Sequence, residues 1–169
     1  MESYNFVVIQ SPQILSGLKE DAIPSWGKML PQQMVEHLSL RFKYASKKVI
    51  AKPFMPQERM AFYKAKFFSG SMQIKKEFTA KGLIPPDQVS GLRFNSLEEA
   101  IAKYKSSLQE FDNFFKINPL ALTFHPFFGY LSYDEWFFYH NLHIRHHFLQ
   151  FQLIDEAGNP VALSEYSGV

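Results

Sequence analysis

Cysteine is absent from the 169 residues of this sequence, and its absence removes several kinds of site at once. A chain without thiols can form no disulfide, no thiolate-bound metal centre and no cysteine nucleophile. Disulfides are rare in cytosolic proteins, so this composition is consistent with a cytoplasmic location, which we expect here.

Long apolar runs and clusters of basic residues are missing as well. Polar residues interrupt every apolar stretch, so the sequence predicts no membrane-spanning helix and no membrane partner. The formal net charge is only +2 with neutral histidines, and the Lys and Arg residues are scattered, so we expect no nucleic-acid partner. Residues 1–10 lack a basic region followed by a long apolar core, which argues against a signal peptide.

Hydrophobic residues make up 46% of the sequence, and aromatic residues are unusually frequent at 17%, with 18 phenylalanines. A chain of this length and composition can bury a substantial core within one domain. We therefore interpret residues 1–169 as a single domain. The aromatic side chains are expected to fill its core and to line a pocket.

Helical periodicity is the main structural signal along the chain. The main helical segments are a short one that begins at Ser11, and the segments 31–50, 96–116 and 131–151. The long connection before the third of these is predicted to contain short helices at 57–68 and 72–81. Residues 4–10 are interpreted as a strand or a lead-in segment, and residues 121–130 as a loop. Without a convincing set of strands, the sequence predicts an all-α bundle.

Capping motifs predict where three of these helices begin. Ser96 with Glu99, and Ser132 with Glu135, each match a capping box, in which a hydroxyl and a carboxylate satisfy two backbone N–H groups. Pro31 suits the first position of a helix, because its ring fixes a helical φ and its missing N–H is not needed there.

Four of the six histidines lie in the segment 131–151. Each helical residue advances by about 100°, so one face of this helix collects His140, His143, His147 and Gln150. His143 and His147 are one turn apart and can converge on one metal ion. His140 and His143 form a second candidate pair. His146 lies off this face, and we expect it to face solvent.

A further histidine, His37, lies on the core-facing stripe of the segment 31–50, which we expect to continue to Val49. Together with His143 and His147 it would provide three neutral nitrogen ligands. Three protein ligands leave one position for water or substrate, which is typical of catalytic rather than structural zinc. Imidazole also suits nickel, iron and copper. Spacing alone leaves open the alternative that these histidines are ordinary core residues.

Several motifs, in this order along the chain, resemble those of a known family. They are WGKM at 26–29, MxxH at 34–37, HPFFGxLSxxEW at 125–136 and HxxHHxxQ at 143–150. The set resembles a poorly characterised branch of the DinB/YfiT superfamily, and the similarity is weakest from about residue 50 to 95. The resemblance implies a four-helix bundle with up-down-down-up order. That order agrees with the long crossover expected between the second and third main helices.

The resemblance also implies a metal site and a class of chemistry. Family members usually bind a divalent metal through three histidines, and the matching positions here are His37, His143 and His147. Characterised relatives include thiol-dependent transferases and isomerases, and others are described as metal-dependent hydrolases. We therefore expect zinc or nickel, a small-molecule substrate, a low-molecular-weight thiol as a partner, and a homodimer as in many relatives.

Three other side chains are candidates for the same pocket. His140 could be a fourth ligand, a proton shuttle or a hydrogen-bond donor to a ligand, or it could simply pack against neighbouring elements. We favour a position in the lining of the pocket over metal binding. His140 is therefore the candidate catalytic residue. Gln150 could hydrogen-bond a ligand imidazole or a loop carbonyl. Arg41 could bind an anionic substrate group or form a salt bridge with a carboxylate.

Two functions remain in competition. The first is a metal-dependent enzyme of the transferase or hydrolase type, in which the ion activates water or a thiol. The second is a non-catalytic, stress-related bundle protein that binds a metal or a small apolar ligand, which the abundance of aromatic residues favours.

Overall fold

The computed structural model describes residues 2–72, 74 and 91–161. These residues are mostly helical, with one two-stranded sheet. Helix α1 has three consecutive parts, namely α-helical Glu2–Tyr4, π-helical Asn5–Gln10 and α-helical Ser11–Leu15. The helices that follow are α2 (Pro31–Ala45), α3 (Gln57–Phe68), α4 (Leu97–Ile117) and α5 (Tyr133–Gln150). Between α4 and α5 lie the strands β1 (Thr123–His125) and β2 (Gly129–Leu131).

The capping box predicted at the start of α5 is confirmed. The Glu135 N–H donates to Ser132 Oγ at 3.3 Å, and the Ser132 N–H donates to Glu135 Oε2 at 2.9 Å. At α4 the Glu99 N–H donates to Ser96 Oγ at 3.1 Å, but the Glu99 carboxylate accepts from the Asn95 N–H instead of completing the box. Both helices begin directly after the predicted N-cap serine, because its hydroxyl satisfies a backbone N–H of the first turn.

Residues 4–10 are helical, so the expected strand or lead-in segment is wrong. Phe6, Val7, Ser11 and Leu15 are all buried, and the helical backbone continues through Ser11 without a break. The α-helical part begins at Ser11 as expected, but it continues the preceding helical turns, and Ser11 Oγ donates to the Val7 carbonyl oxygen at 2.7 Å. The apolar run of residues 4–10 is too short to show helical periodicity by itself. The pattern becomes recognisable only when the residues that follow are read as part of the same helix.

Part of the segment 121–130, which was expected to be a loop, forms the antiparallel hairpin of β1 and β2. His125 shapes its turn, because its Nδ1 accepts from the Phe127 N–H at 3.1 Å and from the Phe128 N–H at 3.2 Å. Gly129 follows with a φ of +75°, a value that glycine adopts without strain. Strands of three residues show too little alternation to be recognised in a sequence, which is why the all-helical prediction missed them.

Helix α2 ends at Ala45, earlier than the predicted limit of the segment 31–50. Lys47 has a φ of +59°, and a left-handed residue of this kind commonly ends a helix. Val49 therefore lies beyond the helix and is 36% exposed, so its expected place on the core stripe is wrong.

The long connection between α2 and α4 contains α3, which confirms the helix predicted at 57–68. The helix predicted at 72–81 lies outside the described residues, except for positions 72 and 74. Among the helices that the structure describes, none combines the length and the apolar character needed to cross a membrane.

Aromatic packing holds α2 between α4 and α5. The Phe42 ring of α2 lies 5.4 Å from Tyr104 and 5.6 Å from Phe111 of α4, measured between ring centroids. Trp136, in the first turn of α5, is fully buried, and its Nε1–H donates to Thr123 Oγ1 of the hairpin at 2.7 Å. Helices α2 and α5 are also in contact with each other, and this contact brings their histidine-bearing faces together.

Candidate metal centre

Three histidines from two helices converge at the contact between α2 and α5. His37 comes from the middle of α2, and His143 and His147 come from successive turns of α5. The Nε2 atom of His143 lies 3.0 Å from Nε2 of His37 and 3.2 Å from Nε2 of His147. The potential ligand atoms of all three lie within 4.8 Å of one another. The structure thus brings together the three histidines singled out in the sequence.

The separations fit a single small ion. Three nitrogens bound to zinc at tetrahedral angles, with bonds of 2.0–2.1 Å, would lie about 3.3–3.4 Å apart. The two contacts of His143 Nε2 are close to that value. A proton on this nitrogen could serve only one of the two contacts, whereas a cation accepts a lone pair from each nitrogen. This donor set is therefore suited to one divalent ion.

The electrostatic surroundings keep the three imidazoles neutral. Burial lowers the pKa of His37 and of His143 well below the ordinary value, and Arg41 and the neighbouring histidines lower it further. Burial also lowers the pKa of His147 to about 4, although its hydrogen bond to Gln150 acts in the opposite direction. Only neutral imidazole binds a metal, so the site needs no deprotonation step at neutral pH.

Gln150 fixes the orientation and tautomer of His147. The Gln150 Nε2 donates to the Trp26 carbonyl oxygen at 2.7 Å, so its Oε1 faces His147 Nδ1, also at 2.7 Å. The amide oxygen can only accept, so the proton of His147 is on Nδ1, and Nε2 presents its lone pair to the cluster. Gln150 therefore makes both of the contacts considered from the sequence, one to a ligand imidazole and one to a loop carbonyl.

The loop before α2 fits closely against the end of α5. The Ser25 N–H donates to the Gln150 carbonyl oxygen at 2.7 Å. Gly27 has a φ of +77°, and a Cβ built at this position would lie 2.9 Å from Gln150 Nε2. In the sequence, Trp26 and Gly27 belong to one of the motifs of the family resemblance, and no pattern there places them at the site. The close approach explains why the position suits glycine.

His143 is oriented by packing rather than by a hydrogen bond. Its Nδ1 is buried and has no hydrogen-bond partner among the described residues. The Tyr139 ring stacks on the imidazole at a centroid distance of 5.0 Å and an interplanar angle of 24°. Tyr139 was not singled out in the sequence, although its place one turn before His143 puts it on the same face.

His146 is less exposed than expected from its place off the ligand face. Its side chain is half-buried, and its ring lies 5.7 Å from that of Trp26 and 5.2 Å from that of His147. Helical geometry correctly separated it from the ligand face, but it could not show that the loop containing Trp26 covers this side of α5. His146 is not one of the three clustered histidines.

His140 lies in the aromatic core, outside the three-histidine cluster. Its ring is 4.4 Å from Phe42, 4.9 Å from Phe111 and 5.3 Å from Trp136, on which it stacks. The Nε2 atom is buried without a hydrogen-bond partner among the described residues, and burial lowers the pKa to about 3. These surroundings correspond to the packing alternative, and a catalytic role for His140 stays a prediction.

Arg41 lies one turn after His37 and is half-buried. Its Cζ atom is 5.5 Å from the centre of the Tyr44 ring. Within the described part of the chain no carboxylate forms an ion pair with it, so the salt bridge considered from the sequence is not seen there.

Comparison with known proteins gave no match to a family model, to a curated protein or to a solved structure. The resemblance to the DinB/YfiT superfamily therefore depends on the sequence motifs alone. The cluster of His37, His143 and His147 is the observation from which a function can be inferred.

Proposed function

We propose that this chain is a DinB/YfiT-type metalloenzyme that binds one divalent ion, zinc or nickel, through His37, His143 and His147. The observation that carries the proposal is the convergence of three Nε2 atoms at spacings that suit one ion. A site of three imidazoles leaves a coordination position for water or substrate, as catalytic zinc sites do. The proposed fold is the four-helix bundle with up-down-down-up order, which the long connection between α2 and α4 supports.

The reaction class that we propose is transfer to, or hydrolysis of, a small molecule. A bound divalent ion would supply a Lewis acid that activates water or a thiol near neutral pH. The thiol would be a separate low-molecular-weight cosubstrate, because the chain has no cysteine. The contribution of the protein is to hold the Nε2 lone pairs in place, through the hydrogen bond of Gln150 to His147 and the stacking of Tyr139 on His143.

Metal analysis of protein purified without an affinity tag tests the ligand set. We expect about one equivalent of zinc or nickel in the wild type, and a loss of most of it in His37→Ala and in His147→Ala, because a catalytic site needs all three protein ligands. His146→Ala is the matched control, since it removes an adjacent imidazole of the same helix that is not one of the three clustered histidines. Unchanged metal content in the two ligand variants would show that the proposed site is wrong.

A non-catalytic binding protein is the second candidate, and the charges around the site favour it. Among the described residues, the group of potential ligands at this site consists of three histidines and contains no carboxylate. A carboxylate base is therefore not among the clustered side chains. A screen of thiol transfers and of ester and amide hydrolyses separates the two candidates: turnover that EDTA abolishes and added metal restores would reject the binding protein.

A further inference from the structure

Arg41 is a half-buried cation without a partner for its charge in the described part of the chain. Its guanidinium carries five N–H donors, and among the described residues it forms no ion pair and makes only a cation–π contact, with Tyr44 at 5.5 Å. Because the side chain is only half-buried, its N–H donors remain accessible to an acceptor from outside the chain.

The guanidinium lies close to the three-histidine cluster. Arg41 is one helical turn from His37 on α2, a spacing that puts both side chains on the same face. After burial, its charge is the next largest cause that lowers the pKa of His37, and it also lowers the pKa of His143 and of His147. An acceptor bound by Arg41 would thus be next to a ligand at the metal site.

The charges of this region do not balance within the described residues. The nearest acidic residue in sequence, Glu36, is turned away from the cluster and accepts from the backbone N–H groups of Arg93, at 2.9 and 3.1 Å, and of Phe94, at 3.2 Å. A divalent ion on three neutral imidazoles, together with Arg41, would carry a formal charge of about +3 with no described carboxylate opposite it. Such a site favours an anionic ligand.

The geometry of the donors and the aromatic ring beside them favour one kind of anion. A guanidinium presents parallel N–H groups that match the two oxygens of a carboxylate. The Tyr44 ring lies beside the guanidinium, with its centre 5.5 Å from Cζ of Arg41. An acid with an apolar body can place its carboxylate on Arg41 and its body against this ring.

We propose that Arg41 is the residue that binds the carboxylate of the substrate, and that the substrate is a small carboxylic acid with an apolar or aromatic body. This inference rests on the proposed function, since it names the substrate class of the same site. Benzoate is the simplest probe of this chemistry, and inorganic phosphate is the comparison anion.

Calorimetric titration of zinc-loaded protein with benzoate tests the assignment. We expect Arg41→Met to weaken benzoate binding by at least about tenfold, as for the loss of a charge-assisted hydrogen bond, and Arg41→Lys to weaken it less. Lys43→Met is the matched control, because it removes one positive charge from the same helix at a side chain that lies over Phe94, 5.8 Å from its centroid. The zinc content and melting temperature of each variant are measured alongside, and zinc content should be unchanged, since Arg41 is not a ligand.

The outcomes separate this inference from the metal proposal. Equal benzoate affinity in the wild type and in Arg41→Met, or no benzoate binding by the wild type, would overturn the inference. Phosphate binding that depends on Arg41 in the absence of benzoate binding would overturn the carboxylate assignment as well. The titration is repeated on protein treated with EDTA: binding that still depends on Arg41 there supports the inference even if metal analysis has rejected the metal site.

Discussion

Among single residues, the loop glycine Gly27 has the most specific link to the candidate site. It leaves room for Gln150, whose side chain connects the Trp26 carbonyl oxygen to Nδ1 of His147. Groups that hydrogen-bond a ligand imidazole hold its tautomer and direction, and their removal typically lowers metal affinity. Gly27 would therefore influence metal binding indirectly, because it lets the Gln150 side-chain amide keep its position beside His147.

Replacing Gly27 by alanine should weaken zinc binding by roughly 10- to 100-fold, the range found when such supporting contacts are lost. The added methyl group would lie 2.9 Å from Gln150 Nε2 and displace it. Competition with a chromophoric chelator measures the affinity.

Gly70→Ala is the control for backbone strain. Gly70 has a φ of +76°, almost equal to that of Gly27, but a Cβ there would meet no atom within 4 Å. Both substitutions should cost about 1–2 kcal/mol of stability, which is the penalty for placing a side chain in the left-handed region. Equal zinc affinities in the two variants would show that the contact with Gln150 has no influence on the site.

As an element, α5 is anchored at its first turn, well before the clustered histidines His143 and His147. Glu135 completes the capping box with Ser132 and also forms a salt bridge of 2.8 Å with Lys64 of α3. Trp136 connects the same turn to the hairpin through Thr123. The helix start therefore contributes to the stability of the fold, whereas the positions of His143 and His147 depend on contacts nearer the other end.

Ser132→Ala should lower the free energy of unfolding by about 1 kcal/mol, as is typical for loss of an N-cap hydroxyl, and leave zinc affinity within about twofold of the wild type. Ser96→Ala makes the same change at the start of α4, which carries no ligand, and should have a similar effect. Urea denaturation and chelator competition measure the two quantities. A fall in zinc affinity for Ser132→Ala but not for Ser96→Ala would mean that the first turn of α5 does position the ligands.

For the whole molecule, metal binding should couple to stability. A ligand that binds only the folded state at a concentration 100-fold above its Kd adds about 2.7 kcal/mol. In a chain of this size that corresponds to a rise in melting temperature of roughly 5–10 °C. Thermal unfolding with and without zinc measures it, and the rise should be absent in His147→Ala. An equal rise in that variant would place the zinc elsewhere.

The buried histidines of the core should make the metal-free protein sensitive to acid. Burial, with a smaller contribution from Arg41, lowers the pKa of His140 to about 3 and that of His125 well below its ordinary value. In the unfolded chain both groups titrate near pH 6.5, so below that pH the unfolded state binds protons that the native state does not. Their stabilising contribution is complete above about pH 6.5 and is lost progressively as the pH falls towards 3.

Denaturation of EDTA-treated protein between pH 7.5 and pH 4 measures this dependence. His140→Leu places an apolar side chain of similar size in the aromatic core and removes one of the buried histidines with a lowered pKa, so the stability of this variant should fall less steeply with acid. The same slope in the variant and the wild type would show that His140 already carries a proton, or is exposed to water, in the native protein.

Much of the candidate site could be predicted because its signals are local. Hydrogen bonds within one turn set the starts of α4 and α5, and helical periodicity placed His143 and His147 on one face and His146 off it. The hairpin at β1 and β2 was missed because three-residue strands are too short to show a pattern. His146 is less exposed than expected because the Trp26 ring, from a loop far away in sequence, lies against it.

The sequence by itself determined which side chains are available as metal ligands, with thiols absent, and which helical face carries His143 and His147, since composition and local spacing decide both. Only the tertiary structure decided that His37 meets that face, and that Gln150 is held by Trp26, which is 124 residues distant in the chain. It also decided that His140 packs among aromatic rings rather than with the cluster. Such contacts depend on how whole helices and loops pack against one another, and no local pattern in the chain encodes that packing.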